Sequence, residues 1–272
     1  MSLHTMRIGS GVPRVAYLHG LLGQGKNLAT LAKAVSASDP GVLIDLPNHG
    51  RSAWTSGFDY ADWADDVADT VRDLLPPGVP ITVFGHSMGG KTAMALALRH
   101  PALVRALVVA DIAPDDSSHG YGFGRLVNGL RNLPLDQVRT REDADALLAA
   151  AVPDAGVRAF LLQNLHRAKP DGWRWLPNLD LLAASLPQIS GWPAGLRGPY
   201  LGPVLWLRGG ESGYVTDDHA PAMRALFPRT RLVTIKGAGH WLHADQPDAV
   251  AATLQTFLDT LRPQLGSSTS SA

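Results

Sequence analysis

A serine hydroxyl has the clearest chemical setting in this chain. Ser87 lies in Gly85-His86-Ser87-Met88-Gly89-Gly90, after the β-branched run Ile81-Thr82-Val83-Phe84 and before a helix-forming run from Lys91 to Leu98. A strand, a Gly-x-Ser-x-Gly turn and a helix, in that order, force the serine out of the sheet on a sharp bend. Glycine is required at 85 and 89 because a Cβ at either position would clash where the strand and helix backbones nearly touch. The hydroxyl then stands at a helix N-terminus, where amide groups and the helix dipole favour negative charge. The pentapeptide alone is a weak signal. Its flanks turn it from a plain Gly-rich turn into the setting of a nucleophile.

A serine hydroxyl attacks only when a base removes its proton, and that base is ordinarily a histidine held by a carboxylate. Ten histidines compete. His240 follows the last strand in Gly237-Ala238-Gly239-His240-Trp241, on a Gly-rich loop that a doubly wound sheet places at its carboxyl edge beside the Ser87 turn. His243 is the rival and reads as a surface or packing residue. His86 adjoins the nucleophile, but neighbouring strand side chains point to opposite faces, so it reads as packing. The acid has two candidate places. In the loop Gly209-Gly210-Glu211-Ser212-Gly213-Tyr214-Val215-Thr216-Asp217-Asp218, the usual Gly-x-x-Asp register puts Ser212 where the carboxylate belongs. A serine has no charge to set against an imidazolium, so Glu211, Asp217 or Asp218 would have to serve by a shift of register. The other place is Asp111, at the carboxyl end of the strand after the nucleophile's unit. Asp111 is favoured, with a turn or helix cap as its purely structural role. Two backbone donors are expected for a developing oxyanion: Met88 N–H, just after the nucleophile, and Leu21 N–H in His19-Gly20-Leu21. His19 reads as an organiser of that loop.

The elements that must position these groups follow a rhythm. Val15–Leu18, Val42–Leu46, Ile81–Phe84 and Ala106–Asp111 are short continuous apolar runs, and Val204–Leu207 and Arg231–Ile235 resume the pattern later. Between them lie helical segments at Asn27–Val35, Asp59–Leu75, Lys91–Leu98 and Pro247–Leu261. In the second, Tyr60, Trp63, Ala64, Val67, Ala68, Val71 and Leu74 share one face, with five aspartates mostly off it. That acidic side reads as a solvated face, not a metal site. Apolar strands alternating with amphipathic helices predict an α/β fold with a doubly wound, mostly parallel sheet. The rhythm breaks at about Pro114. Residues 115–200 hold no convincing buried strand, and Arg141–Ala151 and Val157–Arg167 read as helices. The expected organisation is a core at 1–114, an inserted helical cap at 115–200, the rest of the core at 201–264 and a disordered polar tail at 265–272.

Composition narrows the function. Lys plus Arg equals Asp plus Glu at 24 each, which removes a global field for nucleic acid or an anionic membrane. The absence of cysteine removes disulfides, thiolate metal sites and a cysteine nucleophile. No run approaches the length of a membrane span. The first residues carry no apolar signal region, which makes the cytoplasm the expected location. No metal site is expected.

Five blocks in chain order resemble the α/β-hydrolase superfamily. They are His19-Gly20-Leu21-Leu22-Gly23; Asp45-Leu46-Pro47-Asn48-His49-Gly50-Arg51-Ser52; Gly85 to Met94; Asp111-Ile112-Ala113-Pro114; and Gly237-Ala238-Gly239-His240-Trp241-Leu242-His243-Ala244. The resemblance is to a small esterase branch of bacterial esterases and mitochondrial abhydrolase-domain proteins. It implies that no cofactor is needed and that the partner is a small-molecule ester, a carboxylic ester of short to medium acyl length that the protein hydrolyses, with thioesters in range. It also implies that the acid is the residue matching Asp111. A cofactor-free perhydrolase or haloperoxidase would use the same three residues, and a non-catalytic ligand-binding protein could keep the fold. Epoxide hydrolases and haloalkane dehalogenases carry an aspartate nucleophile at the elbow, so Ser87 argues against both.

Overall fold

The computed structural model describes residues 2–116, 121–168 and 172–262; the expected tail at 265–272 lies outside them. The chain runs β1 (Thr5–Ile8), β2 (Val15–Leu18), α1 (Ala29–Val35), β3 (Gly41–Ile44), α2 (Tyr60–Leu74), β4 (Ile81–His86), α3 (Met88–Arg99) and β5 (Val104–Ala110). It continues with α4 (Tyr121–Arg131), α5 (Arg141–Leu148), α6 (Ala155–Leu162), β6 (Leu165–Ala168), β7 (Gly172–Trp175), α7 (Leu179–Ala184) and α8 (Leu186–Ser190). It ends with β8 (Val204–Gly209), α9 (Ala220–Leu226), β9 (Thr230–Ile235), α10 (Leu242–Asp245) and α11 (Pro247–Thr260).

Seven strands form one sheet in the order β1-β3-β2-β4-β5-β8-β9. All neighbours pair in parallel except β1, which runs antiparallel along β3 from Thr5↔Ile44 to Ile8↔Gly41. Central strands β2 and β4 are buried along their whole length, which explains why they read as continuous apolar runs. One face is covered by α2 and α3, whose Trp63, Val67, Val71 and Met94 join Val83, Val109 and Trp206 in a common core. The other face is covered by α1 and α11, with Leu31, Val35, Leu254 and Phe257 packed on Tyr17, Phe84 and Val108. Helix α2 starts at Asp59, whose carboxylate accepts the Ala61 amide at 2.6 Å. Among the described residues, no helix is long and apolar enough to cross a membrane.

Two elements differ from expectation. The edge strand β1 was absent from the apolar pattern because its residues are only half-buried or exposed. The stretch between β5 and β8 is not purely helical: β6 and β7 form an antiparallel pair, Leu165↔Trp175 to Ala168↔Gly172. The helix expected over 157–167 stops at Leu162. Asn164 then turns its amide inward to the carbonyls of Leu22 (2.7 Å) and Leu161 (3.2 Å), and the chain leaves extended. Only Leu165 of the hairpin is buried, so no apolar alternation marked it.

Candidate active site

Sheet register brings the chemistry to one edge. His86, the last residue of β4, pairs with Ala110, the last residue of β5. The next residue on each strand is therefore a functional candidate, Ser87 on one and Asp111 on the other. Both leave the sheet with left-handed backbone, φ +53° at Ser87 and +52° at Asp111. Such angles are uncommon outside glycine, and they are held here by the ladder itself: Ser87 N–H donates to Ala110 O at 3.0 Å and Asp111 N–H to Leu207 O at 2.8 Å. The bend needs Gly85, where a Cβ would collide with the Gly89 carbonyl. At Gly89 the obstacle is different from the one expected. A Cβ there would strike the carbonyls of Leu18 and His19 at the end of β2, so this glycine lets α3 approach β2 as well as β4.

His240, five residues past the end of β9, reaches back over this edge. Its Nε2 lies 3.0 Å from Ser87 Oγ and its Nδ1 lies 2.9 Å from Asp111 Oδ2. The carboxylate can only accept, so Nδ1 carries the proton and the Nε2 lone pair faces the serine hydroxyl. Asp111 is 0% exposed, and a buried carboxylate is tolerable only when its oxygens are satisfied. Gly209 N–H donates to Oδ1 at 2.9 Å, and Ser212 Oγ donates to Oδ2 alongside the imidazole. Glu211, Asp217 and Asp218 are exposed, and Asp217 pairs with Arg208 at 2.7 Å. None of the three faces His240.

Four of the other described histidines have structural work. His86 Nε2–H donates to the His240 carbonyl at 2.8 Å, which fixes the backbone beneath the imidazole. It is more than a packing residue, and burial drives its pKa far below the ordinary histidine range, so it stays neutral. His243 stacks edge-on to His86 at 4.7 Å between ring centres, and burial pulls it down to about 4. That makes it a half-buried packing residue. In the loop after β2, His19 Nε2 accepts the Leu46 amide at 3.0 Å while Nδ1–H donates to Gly20 O at 2.8 Å. His49 Nε2 accepts the Leu22 amide at 3.2 Å, and Gly23 N–H donates to Gly20 O at 2.9 Å. The two amides that follow Leu21, those of Leu22 and Gly23, are thus engaged.

Two contributors were not anticipated. Ser212 stands where a superfamily carboxylate would, and its hydroxyl supports Asp111 in place of replacing it; the register that pointed to Ser212 was the available signal. Tyr214 lays its ring parallel to His240, 3.8 Å between centres and 20° between planes, which limits how the imidazole can turn. No spacing in the sequence marked that contact.

The space directly above Ser87 is small, about 20 Å3, walled by Leu21, Phe123, Phe160 and Trp241. An apolar groove of about 350 Å3 shares Phe123, His240 and Trp241 with it and is also lined by Leu126, Val152, Val157 and Tyr214. A larger groove of about 1150 Å3 lies beside Trp54 and the β6–β7 hairpin, but it contains none of Ser87, His240 or Asp111. Proximity to Ser87, not size, singles out the candidate pocket.

Residues 13–247 match the model of the α/β hydrolase fold family. The chain is 38% identical over 255 residues to the sn-1-specific diacylglycerol lipase ABHD11 of Mus musculus, covering 91% of this chain and 81% of that protein. It is 33% identical over 248 residues to Esterase YbfF of Escherichia coli, covering 90% and 92% respectively. A solved structure described as a marine microorganism esterase superposes with a TM-score of 0.90 at 33% identity, covering 94% of this chain and 99% of that one.

Proposed function

Because this chain belongs to the α/β hydrolase fold family and is a carboxylic ester hydrolase, we propose that it works through an acyl-enzyme on Ser87. The unbroken hydrogen-bond chain Ser87–His240–Asp111 is the observation that carries this reading. His240 Nε2 takes the hydroxyl proton as Ser87 Oγ attacks the ester carbonyl, and Asp111 stabilises the imidazolium that forms. The oxyanion is held by the amides of Leu21 and Met88, the second of them at the start of α3. His240 passes its proton to the departing alcohol. Water, deprotonated by the same nitrogen, then releases the acid and restores the serine.

The substrate in this account is a small or short-to-medium acyl ester, with thioesters also accepted. Its apolar part lies in the groove walled by Phe123, Val152 and Val157. The stretch between β5 and β8 acts as a cap that sets acyl length, and the name of the mouse relative makes acylglycerols a natural member of the test set. The experiment is an ester panel of graded acyl length on the wild-type protein and Ser87→Ala. Turnover should fall by several orders of magnitude in the variant with its fold intact, and kcat/KM should peak at short to medium chains. Wild-type rates in Ser87→Ala would remove the serine from the mechanism.

A further inference from the structure

Lys91 lies in the first turn of α3, four residues after Ser87, and is 1% exposed. Lysine is almost never buried so deeply without a partner. Here its Nζ donates to three backbone carbonyls, Asp115 at 2.9 Å, Ser190 at 2.5 Å and Gly191 at 2.8 Å. All three ammonium protons are used. The acceptors come from two places far apart in the chain. Asp115 lies just after β5, where the chain leaves the sheet; Ser190 and Gly191 lie at the end of α8, on the way back to β8. Two side-chain contacts close the same knot: Asp116 Oδ1 accepts the Trp192 amide at 2.6 Å, and His219 Nε2 lies 2.8 Å from Asp115 Oδ2.

We propose that Lys91 is a positioning residue that fastens both ends of the stretch between β5 and β8 to the helix carrying Ser87, and so sets where Phe123 and Phe160 stand over the serine. Its catalytic consequence rests on the reading of Ser87 as nucleophile; the fastening itself does not. A backbone carbonyl is a neutral acceptor, so three of them hold an ammonium without cancelling its charge. The charged and titratable groups facing the knot are Asp115 and Asp116 from the exit of β5, His219 behind Asp115, and Tyr60 of α2, whose hydroxyl donates to Ile189 O at 2.7 Å. The 186–192 stretch offers backbone alone, since no side chain in it titrates. Burial pulls the ammonium down to about 8, against the pull of the two aspartates. A neutral amine keeps two N–H groups and turns a lone pair toward a carbonyl, so the fastening loosens as pH passes that value. The lysine's folded pKa lies below its ordinary 10.5, so between the two values the unfolded chain holds the proton and the folded chain does not. This group therefore makes the fold more stable as pH rises through that window. Loosening should then appear in substrate binding without any unfolding.

The test compares wild type, Lys91→Arg and Lys91→Met on p-nitrophenyl acetate and p-nitrophenyl octanoate from pH 7 to 9, with amide exchange followed at 190–192. In wild type the octanoate KM should rise at least about fivefold between pH 7 and 9, kcat on acetate should change less than about twofold, and protection at Trp192 should fall. Arginine cannot lose its proton in this range, so Lys91→Arg should hold a flat KM. Lys91→Met should show the raised KM and lost protection already at pH 7. A pH-independent octanoate KM in wild type, or the same rise in Lys91→Arg, overturns the proposal even if Lys91→Met does not fold. Ser87→Ala is run in parallel: activity retained there sinks the nucleophile, whereas the Trp192 exchange result judges Lys91 alone.

Discussion

Ser87 and Asp111 are consecutive with a paired couple of residues on neighbouring parallel strands, and both break out of the sheet with positive φ. That geometry hands His240 two partners on one edge. It also makes Asp111→Asn a clean probe, because asparagine tolerates the left-handed backbone as well as aspartate does. The amide would reverse the tautomer of His240, and kcat should fall about 10^4-fold with the fold unchanged; a variant within tenfold of wild type in a steady-state assay contradicts the role given to the acid. Ser212→Ala removes one donor from a buried carboxylate. A hydrogen bond to a charged group contributes about 1.5–3 kcal/mol, so kcat should drop roughly 10- to 100-fold with KM little altered. An unchanged kcat would show that Gly209 N–H suffices. At this scale the sequence was readable where chemistry is local. Ser87 announces itself by its neighbours. Ser212 read as a missing charge, because a hydroxyl's value depends on what it faces across about a hundred residues of chain. Lys91 read as an ordinary opening to a helix for the same reason.

The β4–α3 elbow is the element on which the site turns. Gly85 admits no side chain because the Gly89 carbonyl occupies the Cβ position. Gly85→Ala must push α3 off the strand, an overpacking cost of about 1–3 kcal/mol and a Tm lower by several degrees. Because the shift moves Ser87 itself, activity should fall further than stability. A variant that keeps wild-type turnover and Tm would show that the elbow has room to spare. Buried elements such as β2, β4 and α2 were legible because burial on both faces, or along one helical stripe, dictates composition. Strand β1 and the β6–β7 hairpin were not, since half-exposed strands carry no such imprint. Their pairing is decided by edges already built by the rest of the fold.

Among the described residues, four histidines have pKa values below the ordinary 6.5, each chiefly from desolvation: the buried His19, His49 (about 3) and His86, and the half-buried His243 (about 4). A folded-state value lowered in this way leaves stability complete above 6.5 and removes it as pH falls, because the unfolded chain takes up protons that the folded chain refuses. Each such histidine contributes a slope of about 1.4 kcal/mol per pH unit once the unfolded form is protonated. Urea unfolding between pH 6.5 and 5 should report uptake of more than two protons; one or fewer would mean that these rings are not held neutral. The order β4-β5-β8 is the global fact that composition could not supply, and it is what places Asp111, Gly209 and Ser212 together under His240.

The central claim is a covalent bond between substrate and Ser87. Acid-quenching the wild-type protein during turnover of a slowly released p-nitrophenyl ester, then measuring intact mass and mapping peptides, tests it directly. One acyl group per chain is expected, located on Ser87 and absent from Ser87→Ala. Steady turnover with no adduct, or an adduct on another residue, would contradict it.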